Sequence, residues 1–160
     1  ILAATANPCP CGNAGEGGSG LCSCAPDTVT RYRKRISGPF RDRIDLCLEV
    51  RPVELHQLPG LRDGESTAEV ARRVAAARAA QGRRQGSDRL NAALVGAQLG
   101  AVCELEPSAR SLVPRLSEAH ALTGRGFHGV FRLARTIADL DGRPRITVAD
   151  LLEAREYRGA

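Results

Sequence analysis

The chain has 160 residues, 42% of them hydrophobic and 26% charged, a balance that excludes wholesale disorder and suits one domain, or one domain with part of another. No apolar run approaches the ~20 residues of a transmembrane helix and no secretory signal is visible, so we expect a cytoplasmic location and no membrane partner. The net charge is +5, with Lys34 as the only lysine among 23 basic residues; such an excess of Arg suits phosphate and carboxylate partners, and a GC-rich genome is the alternative explanation.

Residues 1–50 have the pattern of α/β material. The apolar run at residues 1–6 predicts a buried strand, and the alternation over residues 44–50 predicts a second one. Between them a basic helix is predicted over residues 28–35, capped by Asp27 or Thr28. Because the chain contains no Met, we expect the C-terminal part of a longer protein, in which further strands pair with the first one.

Residues 66–160 have the pattern of a small helical bundle, reached through a Pro- and Gly-containing linker at residues 51–65. Ser66 and Glu69 form a capping box, and Gly82 is expected to end the helix that follows. Further helices are predicted over residues 90–99, from Pro107, over residues 124–140 and after a cap at Thr147.

Four cysteines form two C-x-C pairs in a Gly-rich loop that has little to pack: Cys9, Cys11, Cys22 and Cys24. Four thiolates in such a segment suit a tetrahedral zinc site, which would order the loop. Reduced thiols or one disulfide are the alternatives that this spacing leaves open. Cys47 and Cys103 have apolar neighbours and are predicted to lie in the core.

Asn7 and one of two arginines are candidates for contact with a phosphate. Asn7 follows the first predicted strand, at the end where open parallel sheets bind ligands, although an Asn before Pro also initiates turns. Arg41 and Arg43 both precede the second predicted strand, and an Arg there could stabilise a transferring phosphoryl group in a neighbouring subunit. A surface ion pair with Asp42 or Asp45 is the alternative.

Arg125 begins a predicted helix, whose N-terminus would add to its positive charge and favour an anion. A solvated helix face is the alternative. Arg135 lies deeper in the same helix, where it can pair with Asp139 one turn later. The three histidines have no metal-site spacing and are expected to be surface or packing residues.

The sequence has no phosphate cradle of the Walker A type. That motif requires G-x-x-x-x-G-K-[ST], because its lysine reaches the β- and γ-phosphates. Lys34 follows Arg33, with no glycine loop before it. No acidic Walker B pair follows an apolar strand either.

Taken together, several segments closely resemble the magnesium-chelatase-like AAA+ ATPases, and within that group the YifB/ComM branch. The resemblance runs over essentially the whole chain and is carried by ANPCPCG at residues 6–12, CSC at 22–24, RYRKRISGP at 31–39, DRIDL at 42–46 and ARTIADL at 134–140.

The resemblance implies a fold and residue roles. Residues 1–50 would hold the last strands of the AAA+ nucleotide-binding core, with the cysteine loop inside it, and residues 66–160 would form its helical lid. Asn7 falls on the sensor-1 residue that orients the attacking water. Arg43 falls on the arginine finger and Arg125 on the sensor-2 arginine that reaches the nucleotide.

The resemblance also implies ATP and Mg²⁺, whose cradle and metal ligands would lie upstream, so these residues alone are not expected to hydrolyse ATP. It implies a ring, as a hexamer, that acts on DNA as a ComM-like branch-migration helicase. A zinc-stapled nucleic-acid-binding module without enzyme activity is the alternative. A lid that only mediates oligomer contacts is a third.

Two departures from the family pattern bear on the site. Phe40 and Arg41 stand where a pair of leucines is usual, so that Arg41 competes with Arg43 for the finger role. Gly126 and Gly129 stand where bulkier residues are usual, and each glycine is expected to weaken its helix by about 1 kcal/mol relative to Ala.

Overall fold

The computed structural model describes residues 2–15, 22–50, 64–86, 88–119 and 123–158, and in them the chain forms helices and no strand. The α-helices are α1 (Pro26–Arg33), α2 (Gly38–Arg41), α3 (Thr67–Gln85), α4 (Ala97–Val102), α5 (Pro107–Ala119), α6 (Gly124–Leu140) and α7 (Val148–Glu156), with a 3₁₀-helix at Asn91–Ala93. None of these helices combines the length and hydropathy that a membrane span needs.

The chain divides into two compact units. Unit 1 comprises Ile1–Arg41 and Glu49–Arg62, and unit 2 comprises Asp42–Leu48 and Asp63–Ala160. The second predicted strand, residues 44–50, is thus divided: residues 44–48 group with the helices of unit 2, and residues 49 and 50 belong to unit 1. The predicted linker at residues 51–65 lies outside the described residues as far as residue 63.

Neither predicted strand forms among the described residues. Residues 2–6 and 44–50 belong to no helix or strand, and most of their apolar side chains are exposed, Leu2 by 80% and Val50 by 89%. A strand requires a neighbour that pairs with its backbone N–H and C=O groups, and neither segment has one among the described residues. The alternation of apolar residues over residues 44–50 is therefore present without the ladder of β-sheet hydrogen bonds that it predicts.

In unit 1, α1 begins two residues earlier than predicted, and its predicted caps are wrong. Pro26 occupies the first turn and Ala25 precedes it without a side-chain cap. Proline fits this position because the first-turn N–H groups have no helical partner in any case. Asp27 therefore lies inside the first turn, where its negative charge interacts favourably with the helix dipole.

The long helix α3 of unit 2 starts as predicted and ends later. The capping box between Ser66 and Glu69 is confirmed, with the Glu69 amide donating to the Ser66 hydroxyl at 3.3 Å. Gly82 does not end the helix. The chain leaves it at Gly86, which adopts the left-handed conformation (φ 65°) that side chains disfavour.

The helix predicted over residues 90–99 is interrupted. The 3₁₀-helix ends before Gly96, whose φ of 50° is incompatible with a continuous α-helix, and α4 begins after it at Ala97. The starts of the later helices are confirmed. Pro107 opens α5, and Thr147 caps α7 through the amide of Asp150.

The core of unit 2 forms where α4, α5, α6 and α7 pack around short aliphatic side chains. Its fully buried members include Val130, Ala134, Ile146, Leu151 and Ala154. The apolar stripe of α6 recurs at helical spacing and faces this cluster. This packing holds α6 in place, and α6 carries most of the candidate site.

Candidate functional site

An arginine-rich cleft of about 430 Å³ lies in unit 2, open to solvent. It is lined by Arg43, Asp45, Val95, Gly124, Arg125, His128 and Arg132. The structure thus brings together Arg43 and Arg125, two of the three residues that the sequence assigns to phosphate contact.

The helical repeat of α6 produces one wall of this cleft. Arg125, His128 and Arg132 are three and four residues apart, and that spacing places them on one face of a helix. Val130 and Ala134 lie on the opposite, buried face. The same amphipathic pattern that builds the core therefore directs three basic or titratable side chains toward the cleft.

Thr123 caps the helix that carries Arg125. Its hydroxyl accepts from the Gly126 amide at 3.0 Å and donates to the Asp42 carboxylate at 2.9 and 3.0 Å. The first turn of α6 is thereby joined to the segment that carries Arg43. This bond connects parts of the chain that are 81 residues apart.

The cleft is positively charged, because it presents three guanidinium groups and one carboxylate. Arg132 forms an ion pair with Asp45 at 3.4 Å, and Asp42 forms one with Arg158 at 3.3 Å. Among the residues that the structure describes, Arg125 makes no ion pair, and its side chain is exposed at the N-terminal turn of α6. Helix N-termini favour anions, so the cleft is suited to a phosphate.

The four cysteines of the C-x-C pairs form a second candidate site, in unit 1. All four Sγ atoms of Cys9, Cys11, Cys22 and Cys24 lie within 4.8 Å of one another. The Cys9 sulfur lies 3.3 Å from that of Cys11 and 3.8 Å from that of Cys22. All six cysteines of the chain are free thiols, so the disulfide alternative does not hold in this structure.

Backbone hydrogen bonding favours the thiolate form at one of these sulfur atoms, that of Cys11. The Asn13 backbone, followed by the Cys9 thiol, lowers the pKa of Cys11 to about 6. The turn that makes this possible is closed by the Gly12 amide, which donates to the Cys9 carbonyl at 3.0 Å. Gly12 has a φ of 84°, which a side chain would disfavour.

The remaining sequence predictions for single residues have mixed outcomes. Asn7 is exposed in unit 1, in the irregular segment before the turn at Pro8. Cys103 is buried as predicted, and burial raises its pKa to about 11. Cys47 is only partly buried, so its assignment to the core is wrong, because residues 42–48 lie at the surface of unit 2.

The ARTIADL segment is a structural element of unit 2. Asp139, itself buried, accepts two hydrogen bonds from Arg84 at 2.7 Å, and Arg135 pairs with it at 3.1 Å. The Asn91 amide donates to it at 2.8 Å. The predicted pairing of Arg135 with Asp139 is confirmed, and both of these side chains are buried.

Sequence reasoning missed Arg132, Arg158 and the place of His128 in the cleft. Arg132 and His128 follow Arg125 at helical spacing, and that periodicity could have placed them on its face. No local sequence pattern indicates the contacts of Arg158, because its partners Asp42 and Ile44 are more than 110 residues away in sequence.

The chain matches two known protein-family descriptions, which together cover most of its length. Residues 64–158 match the family described as magnesium chelatase, subunit ChlI C-terminal, and residues 1–58 match magnesium chelatase, subunit ChlI. The chain belongs to the magnesium chelatase family. Its helical unit corresponds to the C-terminal helical part of that family, and the resemblance to the YifB/ComM branch is confirmed.

Individual members of the magnesium chelatase family match over almost the whole chain. The chain is 38% identical over 162 residues to the uncharacterized protein YifB of Escherichia coli (strain K12) and 39% identical over 163 residues to that of Salmonella typhimurium. It is 34% identical over 158 residues to competence protein ComM of Haemophilus influenzae. Each match covers 98% of this chain and 30% of the relative.

Proposed function

We propose that the arginine-rich cleft contacts the terminal phosphate of ATP in a ring-forming AAA+ motor. The observation that carries this proposal is the convergence of Arg43 and Arg125 on one cleft. Transferring phosphoryl groups carry developing negative charge, and positioned guanidinium groups stabilise it. Membership of the magnesium chelatase family supports ATP as the source of that phosphate.

Each residue of the proposed site has a separate task. Arg43 acts as the finger that neutralises charge on the γ-phosphate in a neighbouring subunit. Arg125 reaches the same phosphate from the first turn of α6, because the two side chains line one cleft. Asn7 lies in unit 1 and does not line the cleft; its separate task, as the sensor-1 residue, is to orient the attacking water. The chain carries no Walker A lysine, so the cradle and the Mg²⁺ ligands belong to the part of the protein upstream.

The residues present fit a phosphate group. Three guanidinium groups and a helix N-terminus face one open cleft, and guanidinium is the side-chain group best suited to bidentate phosphate contact. Mg²⁺ bound with ATP supplies further charge neutralisation at the β- and γ-phosphates. The contribution of this chain is to position its own cations around the phosphate.

The test compares Arg43→Ala with Arg41→Ala in the full-length protein. We expect Arg43→Ala to lower kcat for ATP hydrolysis by about a thousandfold, the usual scale for a finger arginine, with nucleotide affinity unchanged. Arg41→Ala should hydrolyse ATP normally, because Arg43 lines the cleft and Arg41 does not. Normal turnover by both Arg43→Ala and Arg125→Ala would leave only a role in oligomer contacts.

The motor is proposed to act on DNA as a hexameric branch-migration helicase. The support is the similarity to a protein named competence protein ComM, together with the net charge of +5. The full-length protein should show ATP hydrolysis stimulated by branched DNA and should convert a four-way junction into duplex products. Hydrolysis that no DNA stimulates would count against this substrate.

A second candidate function is a zinc-stapled nucleic-acid-binding module in unit 1. A Zn–S bond of about 2.3 Å in a tetrahedron places sulfur atoms about 3.8 Å apart, close to the 3.7 Å between Cys11 and Cys22. Helix α1 follows the cysteine loop, and the Arg33 guanidinium donates to the Pro8 carbonyl of that loop at 3.3 Å. Metal binding would therefore also fix the basic segment of α1.

The exposed basic residues after the loop are the proposed phosphate contacts of this module: Arg31, Lys34 and Arg35. In the full-length protein without ATP, their replacement by Ala should weaken DNA binding and reduce the slope of log affinity against log salt by about 3. A chelator should have a similar effect. DNA binding that neither treatment changes would remove the module as a DNA contact.

A further inference from the structure

Arg158 holds the backbone on both sides of Arg43. It follows the C-terminus of α7, and its side chain is only 7% exposed. Its guanidinium donates to the carbonyl of Ile44 at 3.0 Å and to the carbonyl of Asp42 at 3.1 Å. It also contacts the Asp42 carboxylate at 3.3 Å. One planar group thus bonds to the residue before Arg43 and to the residue after it.

The Arg158 guanidinium can lie against α6 because the residue that it contacts there is a glycine, Gly129. A Cβ atom added at Gly129 would lie 2.7 Å from a terminal nitrogen of Arg158, closer than real Cβ contacts allow, and 3.1 Å from its Cζ, so the end of the Arg158 side chain would have to shift. Gly129 is buried, and the turn of α6 that contains it also presents His128 to the cleft. The departure from bulkier residues noted in the sequence therefore gives the guanidinium room to lie against the helix.

Other bonds fix the same segment through different atoms. The Cys47 amide donates to the Tyr157 carbonyl at 2.6 Å, and Arg132 pairs with Asp45. Thr123 holds the Asp42 side chain. Among the described residues, Arg158 binds main-chain oxygens on both sides of Arg43.

We propose that Arg158 is a positioning residue for Arg43. It sets the approach of the Arg43 guanidinium to a phosphate held between Arg43 and Arg125, and it makes no contact with the phosphate itself. The inference rests on the proposed role of the cleft in ATP hydrolysis. Positioning matters because a displacement of about 1 Å at a reacting group can lower a rate by about a hundredfold.

The fork of the guanidinium is essential to this role. Two carbonyl oxygens on different residues are bound by N–H groups that point in fixed, divergent directions. A lysine would keep the charge and lose that fixed geometry. Arg158→Lys should therefore behave more like Arg158→Ala than like the wild type in turnover.

The experiment uses the full-length protein and four variants: Arg158→Ala, Arg158→Lys, Gly129→Ala and the control Gly100→Ala. The first three should lower kcat for ATP hydrolysis at least tenfold, with KM for ATP and the oligomeric state unchanged. Gly100→Ala, in α4, should stay within twofold of wild type, because a Cβ added there would meet no atom within 4 Å. Gly129→Ala keeps Arg158 and favours helix formation, so it tests position even if Arg158→Ala fails to fold.

A double variant separates positioning from general stability. If Arg158 acts through Arg43, adding Arg158→Ala to Arg43→Ala should change the residual single-turnover rate by less than twofold. A further tenfold fall in that background would overturn the inference. So would normal kcat in both Arg158→Ala and Gly129→Ala while Arg43→Ala is inactive, and the proposed function would then stand. Normal hydrolysis by Arg43→Ala itself would instead reject the proposed function.

Discussion

Unit 1 and unit 2 differ in the interactions that stabilise each of them internally. Among the described residues of unit 1 the buried residue is a cysteine, Cys9, and α1 buries none of its residues. Unit 2 buries a continuous aliphatic core together with the charged pair Arg135 and Asp139. A segment without an apolar core needs another source of order, and the clustered thiols of unit 1 are suited to provide it through a metal ion.

This difference has a physical origin in composition. The cysteine loop is rich in Gly and Pro, which supply turns but little surface to bury. In unit 2, Ala and Leu recur at helical spacing, and a buried carboxylate is satisfied by cations from two helices. Metal removal should therefore act on unit 1, and loss of buried contacts should act on unit 2.

The largest expected effect comes from Cys9→Ser in the full-length protein. Structural zinc sites contribute on the order of 10 kcal/mol to folding, so we expect loss of bound zinc and rapid amide exchange across residues 22–33. Cys47→Ser is the control, because Cys47 lies in unit 2 and should leave the zinc content unchanged. Metal analysis and hydrogen exchange make the measurement. Protein purified without zinc, and with slow exchange in this segment, would contradict the comparison.

Asp139→Ala should produce the next largest effect, confined to unit 2. It leaves the buried Arg135 guanidinium without its carboxylate, and breaking a buried pair costs about 3–5 kcal/mol. Exchange of the α6 amides should accelerate accordingly, while the zinc content stays normal. Asp141→Ala is the control, since Asp141 pairs with Arg143 at an exposed position. Equal exchange rates in the two variants would show that the network does not stabilise α6.

The two capping boxes provide a smaller test within unit 2. Thr147 is partly buried and Ser66 is exposed, and each accepts from an amide three residues later. Thr147→Ala should lower the free energy of unfolding of α7 by about 1 kcal/mol, and Ser66→Ala should cost α3 about 0.5 kcal/mol. Native-state hydrogen exchange resolves the two helices. The reverse order would indicate that burial near a cap does not strengthen it.

Local rules predicted much of unit 2. The caps at Ser66 and Thr147 and the pairing of Arg135 with Asp139 depend on residues three or four apart, and all are confirmed. Gly82 shows where such rules fail, because a single glycine is tolerated inside a long helix, whereas the left-handed φ at Gly86 is not compatible with further helical turns.

Features that depend on distant partners were not predictable in the same way. The alternation over residues 44–50 indicates a strand only if another strand pairs with it. Arg158 acquires its partners through tertiary packing across more than 110 residues. The cysteine spacing predicted a shared site, and the structure brings the four sulfur atoms together. Arg43 and Arg125 were suggested by resemblance, and their placement in one cleft comes from the contacts of Asp42.

The bonds from Arg158 and Tyr157 to residues 42–48 also determine where this polypeptide can be divided. A shortened gene that starts at Gly64 would encode every long helix and the complete aliphatic core. It would nevertheless discard Asp42 and the carbonyl of Ile44, leaving the Arg158 guanidinium with no acceptors from this segment. A separately expressed helical unit should therefore begin before Asp42.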